Sequence, residues 1–147
     1  MQHSIHIVAK GNPPTRTAQQ KGIKVINGHP MFFEKKVVRD AKTELMWKFK
    51  PYVPEKPMEG PLAVEIVWAF ELKSCKKVHR KTTRPDLDNL EKGVLDILGK
   101  MGFFLDDAQI VEKYTAKWAV PPGHGRLSII IKEATDEQRT LLVNGEL

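Results

Sequence analysis

The feature that most restricts the fold is an alternation of apolar and other side chains between residues 62 and 72. Every second residue is large and apolar: Leu62, Val64, Ile66, Trp68, Phe70 and Leu72. Successive side chains of a strand point to opposite faces, so this pattern predicts a long strand with one fully apolar face. The chain must therefore contain a sheet that is covered by other elements on at least that face.

Helical spacing appears on both sides of this strand. Apolar residues recur four apart over residues 32–49, which predicts an amphipathic helix that ends before Pro51: Phe33, Val37, Ala41, Leu45 and Phe49. A second helix is predicted over residues 88–101, with Gly102 just past its end. Its apolar stripe consists of Leu90, Val94, Ile97, Leu98 and Met101.

The remaining segments predict further strands and connections. Strands are expected at residues 4–9, 107–119 and 126–133, with a brief one in the IKVI segment, whereas residues 135–143 suggest a short helix. Strands and helices mix without regular βαβ alternation, and 147 residues fit one core. We therefore expect a single α+β domain over residues 1–147, a mixed sheet of about four strands flanked by two main helices.

Composition narrows the class of protein. No apolar stretch approaches the roughly eighteen residues of a membrane span, and the N-terminus lacks the pattern of a signal peptide. The single cysteine, Cys75, cannot form an internal disulfide, which favours a reducing, cytoplasmic setting and excludes a structural zinc site of several cysteines. The formal net charge of +6 favours association with polyanions.

The positive charge is concentrated in residues 73–84, a predicted loop that contains six cations and no acid: Lys73, Lys76, Lys77, Arg80, Lys81 and Arg84. Such a run is either a solvated loop or a surface that contacts phosphates. Because like charges repel, the arrangement is costly unless an anion joins them, and nucleic acid is a common partner of that kind.

Acidic residues follow at once. Asp88 and Glu91 have the spacing of a capping box at the start of the second helix, which explains Asp88 without any chemistry. Asp86 is left unexplained, and two carboxylates two residues apart suit Mg²⁺, a hard cation that prefers oxygen ligands. Lys92, four residues after Asp88, predicts either a helix-surface ion pair or a cation that stabilises charge beside a metal.

A third carboxylate comes from the DD pair that opens the predicted strand 107–119. Strand alternation places Asp107 on a polar face together with Lys113, Thr115 and Lys117, and Asp106 on the other face. The alternative is an ordinary Asp-rich turn before a strand. If this strand lies beside the start of the second helix, Asp86, Asp88 and Asp107 are candidates to bind Mg²⁺ together.

The segments RPDLDNLEKGVLDIL and GFFLDDAQIVE, together with the final GRLSIIIKE, resemble the RusA family of Holliday-junction resolvases. The resemblance implies a Mg²⁺-dependent endonuclease that cuts four-way DNA junctions as a homodimer, by paired symmetric nicks, during recombination and repair. It implies that Asp86, Asp88 and Asp107 are the essential carboxylates, that Asp106 is a possible further ligand, and that Lys92 is catalytic. The expected DNA-binding residues are Lys73, Lys76, Lys77, Arg80, Lys81, Arg84, Lys113 and Lys117.

Two other functions fit the same residues. A non-catalytic basic DNA-binding dimer would use the carboxylates only as caps and turns. A metal-dependent nuclease for other branched nucleic acids or RNA would keep the acids but not require a junction. A small basic module without any nucleic-acid role is a third, less favoured alternative.

Overall fold

The computed structural model describes residues 4–16 and 21–136. These residues form seven strands and two main helices: β1 (Ser4–Lys10), β2 (Lys21–Ile26), β3 (His29–Glu34), α1 (Lys36–Phe49), β4 (Leu62–Glu71), β5 (His79–Arg80), α2 (Leu87–Lys100), β6 (Ile110–Val120) and β7 (Arg126–Glu133). The tail helix expected at residues 135–143 lies almost wholly outside the described residues. Within those residues, no helix is long and apolar enough to cross a membrane.

Five strands form one mixed sheet in the order β1-β7-β4-β6-β5. The β4–β6 pair is parallel and the other neighbouring pairs are antiparallel. This confirms the predicted α+β class and mixed sheet, with five strands rather than about four and a separate β2–β3 hairpin. The strand predicted at residues 126–133 is observed with those bounds.

The alternation in β4 has the predicted consequence. Leu62, Ile66 and Trp68 belong to one apolar core together with residues of both helices, among them Phe49 and Leu98. Both helices therefore cover the same face of the sheet, and burial of these large side chains is the main favourable contribution to folding. Exposed Val8 and Tyr114 lie on the opposite face. Val8 pairs with Ser128, which pairs in turn with Val67 of β4, and Tyr114 pairs with Glu65 of β4.

The first predicted helix was wrong at its beginning. Residues 32–34 belong to β3, the helix begins at Lys36, and Val38 rather than Val37 is buried. The cause is the Asn27–Gly28 pair, whose positive φ angles of 51° and 77° make a tight turn that joins two twisted strands. In this hairpin the ring of Phe33 packs over Gly22 instead of entering the helix stripe.

Gly125 closes the end of the sheet. Its amide and that of Gly123 donate to the Glu71 carboxylate at 3.2 and 2.9 Å, and the Glu71 amide donates to the Asn12 side chain at 2.9 Å. A Cβ at Gly125 would lie 2.5 Å from Glu71 Oε2 and 2.8 Å from Asn12 Cα. We expect Gly125→Ala to lower the free energy of unfolding by about 1–3 kcal/mol, measured by urea denaturation.

Gly93→Ala is the matched control for this substitution. Gly93 lies inside α2, and a Cβ there would meet no atom within 4 Å. The expected result is a gain of about 0.4–1 kcal/mol, because alanine restricts the unfolded chain more than glycine does. Equal effects of the two substitutions would contradict the packing that we describe around Gly125.

Candidate active site

Two carboxylates lie at the start of α2. Asp86 is the N-cap residue, with φ −72° and ψ 141°, and Asp88 lies in the first helical turn. The Asp86 side chain makes no capping hydrogen bond, is 53% exposed, and has Arg84 Nη1 at 3.9 Å. An N-cap aspartate normally accepts a hydrogen bond from a free amide of the first turn. The Asp86 carboxylate thus lies at the helix start without the usual capping contact.

The predicted capping box between Asp88 and Glu91 was wrong. The N-cap is Asp86, and the Glu91 carboxylate turns away from the helix start towards β6. There it accepts a hydrogen bond from the Thr115 hydroxyl and pairs with Lys113 Nζ at 2.8 Å. Glu91 therefore ties α2 to β6, and Asp88 remains an exposed carboxylate that the capping explanation does not account for.

Lys92 projects from α2 one turn after Asp88. Its side chain is exposed, and it forms no ion pair within 4 Å with any residue that the structure describes. The spacing of four residues between Asp88 and Lys92 had suggested an ion pair on the helix surface. This ion pair is not formed. The ammonium group is therefore available to a ligand that approaches the start of α2.

The polar face of β6 lies on the helix-covered side of the sheet, where its side chains stay exposed or half-buried. Lys113, Thr115 and Lys117 are in register with Val64, Ile66 and Trp68, whose side chains point into the helix-covered core. Lys113 and Thr115 contact Glu91, and Lys117 contacts the segment just before α2. Polar residues are tolerated here because they face the polar beginning of α2 rather than the apolar centre of the core.

Asp107 belongs to a 3₁₀ turn over Asp107–Gln109 and Asp106 is its N-cap residue, so neither lies in the strand, which begins at Ile110. The Asp106 carboxylate accepts from the Ala108 amide at 2.9 Å, and the Gln109 side chain accepts from the Asp106 amide at 3.0 Å. The hydrogen bond from the Ala108 amide is the main cause that holds the pKa of Asp106 below its usual range, and a hydrogen bond with the Asp107 side chain contributes less. Asp106 is thus a capping residue, which leaves exposed Asp107 as the better candidate ligand.

The structure does not bring Asp107 to Asp86 and Asp88 within one chain. Asp107 lies beside Leu95, Asp96, Gly99 and Lys100, along the last turns of α2. Asp88 precedes Asp96 by two helical turns, which separates them by about 11–12 Å along the axis. Accordingly, residues 4–16 and 21–136 contain no group of three His, Cys, Asp or Glu side chains arranged to hold a metal ion. Each chain therefore carries two separate candidate half-sites, the Asp86–Asp88 pair and Asp107.

The basic segment 73–84 is held against the sheet more firmly than a free loop. It contains the short strand β5, which pairs with Ala119 and Trp118 of β6. The Arg80 guanidinium stacks 3.5 Å from the centroid of the Trp118 ring. Desolvation and the charge of Lys117 both lower the pKa of Lys81, whose ammonium donates to the Thr83 hydroxyl at 2.7 Å.

The other cations of this segment point into solvent. Lys73, Lys76 and Lys77 are exposed, and the Arg84 side chain is 88% exposed. Apart from the long Arg84–Asp86 contact, these four side chains form no ion pair within the described part of the chain. Their charge is therefore available to an anionic partner.

Sequence reasoning missed three contributors to this region. Glu91 was interpreted only as a cap, and Thr115 had no assigned role, although strand alternation puts it on the same face as Lys113 and Lys117. Gln109 anchors the Asp107 turn, since its side-chain amide donates to the Met58 and Gly60 carbonyls at 3.0 Å. The signal for Gln109 was its place three residues after Asp106, the spacing of a capping box.

Comparison with known proteins identifies the family. The family model described as endodeoxyribonuclease RusA matches residues 6–132. A Lactococcus phage r1t protein named crossover junction endodeoxyribonuclease rusA is 36% identical over 98 residues, which cover 65% of this chain and 73% of that protein.

Two further relatives are shorter matches. The crossover junction endodeoxyribonucleases RusA of Escherichia coli K12 and of Enterobacteria phage 82 are each 50% identical over 54 residues, which cover 37% of this chain and 44% of each relative. The family match extends over most of the described sheet and both helices. The chain belongs to the endodeoxyribonuclease RusA family.

Proposed function

We propose that this chain is a Mg²⁺-dependent endonuclease that resolves four-way DNA junctions as a homodimer. The observation that carries the proposal is the pair of exposed carboxylates at the start of α2, where the N-cap Asp86 makes no capping bond. The names of the relatives, crossover junction endodeoxyribonucleases, support the same reaction. The positive end of the helix dipole resists a bound cation, so the charges of several carboxylates, among them Asp86 and Asp88, would be needed to hold Mg²⁺ there.

The residues at this site fit a hard divalent cation. Carboxylate oxygens are ligands that Mg²⁺ prefers, and partial exposure of Asp86 leaves room for the waters that Mg²⁺ retains. Bound Mg²⁺ would supply an activated water and stabilise the charge that develops on the phosphate under attack. Lys92, exposed one turn further along α2, would neutralise charge on the phosphate oxygens or the leaving oxygen.

The basic segment provides the attraction that an acidic site lacks. Exposed Lys73, Lys76, Lys77 and Arg84 precede Asp86 in the chain, so phosphates bound to them would lie near the carboxylates. Arg80 is fixed by its stacking on Trp118 and loses little freedom on binding a phosphate. The binding energy from these cations would offset the repulsion between the DNA phosphates and the carboxylates.

The separation of the half-sites supports the homodimer. Asp107 is too far along α2 to join Asp86 and Asp88 of its own chain. In a C₂ dimer the same surfaces of two chains face each other, so Asp107 of the partner subunit could complete each site. Such a dimer would have two equivalent sites, as paired cuts on symmetric strands require.

The test is cleavage of a synthetic four-way junction, with a linear duplex of the same sequence as control. We expect paired, symmetric nicks in Mg²⁺ and no cleavage in EDTA. Junction binding, measured by gel shift, should occur under both conditions. Binding without cleavage on every junction sequence tried would favour the non-catalytic DNA-binding dimer. Equal cleavage of flaps, RNA or other branched substrates would favour a nuclease of different specificity.

A further inference from the structure

We infer that Lys117 is a positioning residue that fixes the backbone from which Asp86 projects. This inference rests on the proposed metal site at Asp86 and Asp88, and it assigns Lys117 a role different from the DNA contact expected from sequence. Lys117 lies in β6, and its ammonium donates to the Thr83 and Pro85 carbonyls, each at 2.7 Å. Pro85 is the residue immediately before Asp86, so this bond anchors the chain at the entry to α2.

Lys117 bridges two backbone carbonyls of the segment before α2, and we call this pair of hydrogen bonds the Lys117 clamp. A lysine ammonium has three donors, and two of them are used on carbonyls on either side of Arg84. Lys117 pairs with Trp68 of β4, and the next two residues of β6, Trp118 and Ala119, pair with β5. The two hydrogen bonds therefore hold residues 83–85, which belong to a loop, in a fixed position relative to the sheet.

The ammonium group of Lys117 lies near that of Lys81, and the repulsion between these two positive charges opposes this arrangement. Within the described part of the chain, neither Lys117 nor neighbouring Lys81 has a carboxylate within 4 Å. The two ammonium groups are close enough for Lys117 to disfavour the charged form of Lys81. Lys81 holds the same segment through the Thr83 hydroxyl. Two like charges converge on residues 83–85, and both are used to fix that segment.

The consequence concerns metal affinity rather than DNA affinity. Asp86 has no capping bond to fix its direction, so the geometry of its carboxylate depends on the backbone position of residues 85 and 86. Groups that orient metal ligands without touching the metal typically change metal affinity by about 10–100-fold when they are removed. The donors of Lys117 point at the protein, so a direct phosphate contact would have to break the clamp.

The experiment compares Lys117→Met with the wild-type chain. We expect the Mg²⁺ concentration for half-maximal junction cleavage to rise about tenfold or more, and Mn²⁺ binding measured by calorimetry to weaken in parallel. Junction affinity in EDTA and its dependence on salt should stay close to wild type. Hydrogen exchange of the peptide covering residues 83–91 should accelerate, whereas exchange in β4 should not change.

Two further variants complete the test. Lys117→Arg keeps a charged donor and should restore much of the Mg²⁺ affinity, which loss of fold alone would not predict. Lys132→Met removes a lysine of β7 whose only described ion contact is Glu65 at 4.0 Å, on the opposite sheet face, and should change none of these quantities. Should Lys117→Met unfold at the assay temperature, Lys117→Gln is measured instead, because its amide keeps part of the donor capacity.

Specific outcomes would overturn the inference. Unchanged exchange of residues 83–91 in the folded variant would show that Lys117 does not hold the segment. Lower junction affinity in EDTA with an unchanged Mg²⁺ requirement would make Lys117 a DNA contact. Absence of Mn²⁺ binding to the wild-type chain would instead count against the proposed metal site, and the hydrogen exchange result would still decide whether Lys117 is a clamp.

Discussion

Replacing Asp88 by asparagine should reduce junction cleavage in Mg²⁺ by roughly a hundredfold or more, while junction binding in EDTA remains at or above the wild-type level. The amide has nearly the same shape as the carboxylate but lacks the charge that holds a divalent cation. Asp88 is exposed and is not the N-cap residue, so the substitution removes no described structural contact. Loss of a negative charge beside the basic segment can only favour the approach of DNA.

The measurement is single-turnover cleavage of a four-way junction, with gel shift and thermal unfolding on the same preparations. Asp40→Asn is the matched control, since it makes the same chemical change at an exposed position of α1. It should cleave like the wild-type chain. If Asp88→Asn also cleaves at the wild-type rate, Asp88 is not a metal ligand and the DNA-binding dimer becomes the better description.

The parts of the fold that sequence predicted are those with strong periodicity. The alternation in β4 placed Leu62, Ile66 and Trp68 on the core face, and the spacing in α2 placed Leu90 and Val94 there as well. In both elements the local pattern and the tertiary packing agree, so there was no competing signal. Near Phe33 the two disagreed, because four-residue spacing continued past the true start of α1 and concealed the Asn27–Gly28 turn.

In the candidate site, too, sequence predicted the residues of the strongly periodic element but not those outside it. The positions of Asp86, Asp88 and Lys92 follow from the start of one well-predicted helix. The surroundings of Asp107 did not follow, because strand alternation was applied from residue 107 while the strand begins at Ile110 after a 3₁₀ turn. The orientation of Lys117 was also not predictable, because alternation separates two faces but does not say which one an adjacent helix covers.

Mixing two inactive variants is expected to restore cleavage. If each site combines Asp88 of one chain with Asp107 of the partner subunit, a dimer of Asp88→Asn with Asp107→Asn has both defects in one site and none in the other. After subunit exchange of an equal mixture, roughly half of the dimers are mixed, so about a quarter of the wild-type number of sites is intact. These dimers should nick one strand and leave the opposite strand uncut.

The control mixture combines Asp86→Asn with Asp88→Asn, whose positions belong to the same half-site at the start of α2. Every mixed dimer then has one defect in each site, so no cleavage should return. Nicking by the first mixture alone would therefore require a site shared between two chains. If both mixtures remain inactive although subunit exchange is demonstrated, each site lies within one chain, and Asp107 would have to move along α2 to reach Asp86 and Asp88 when DNA and metal bind.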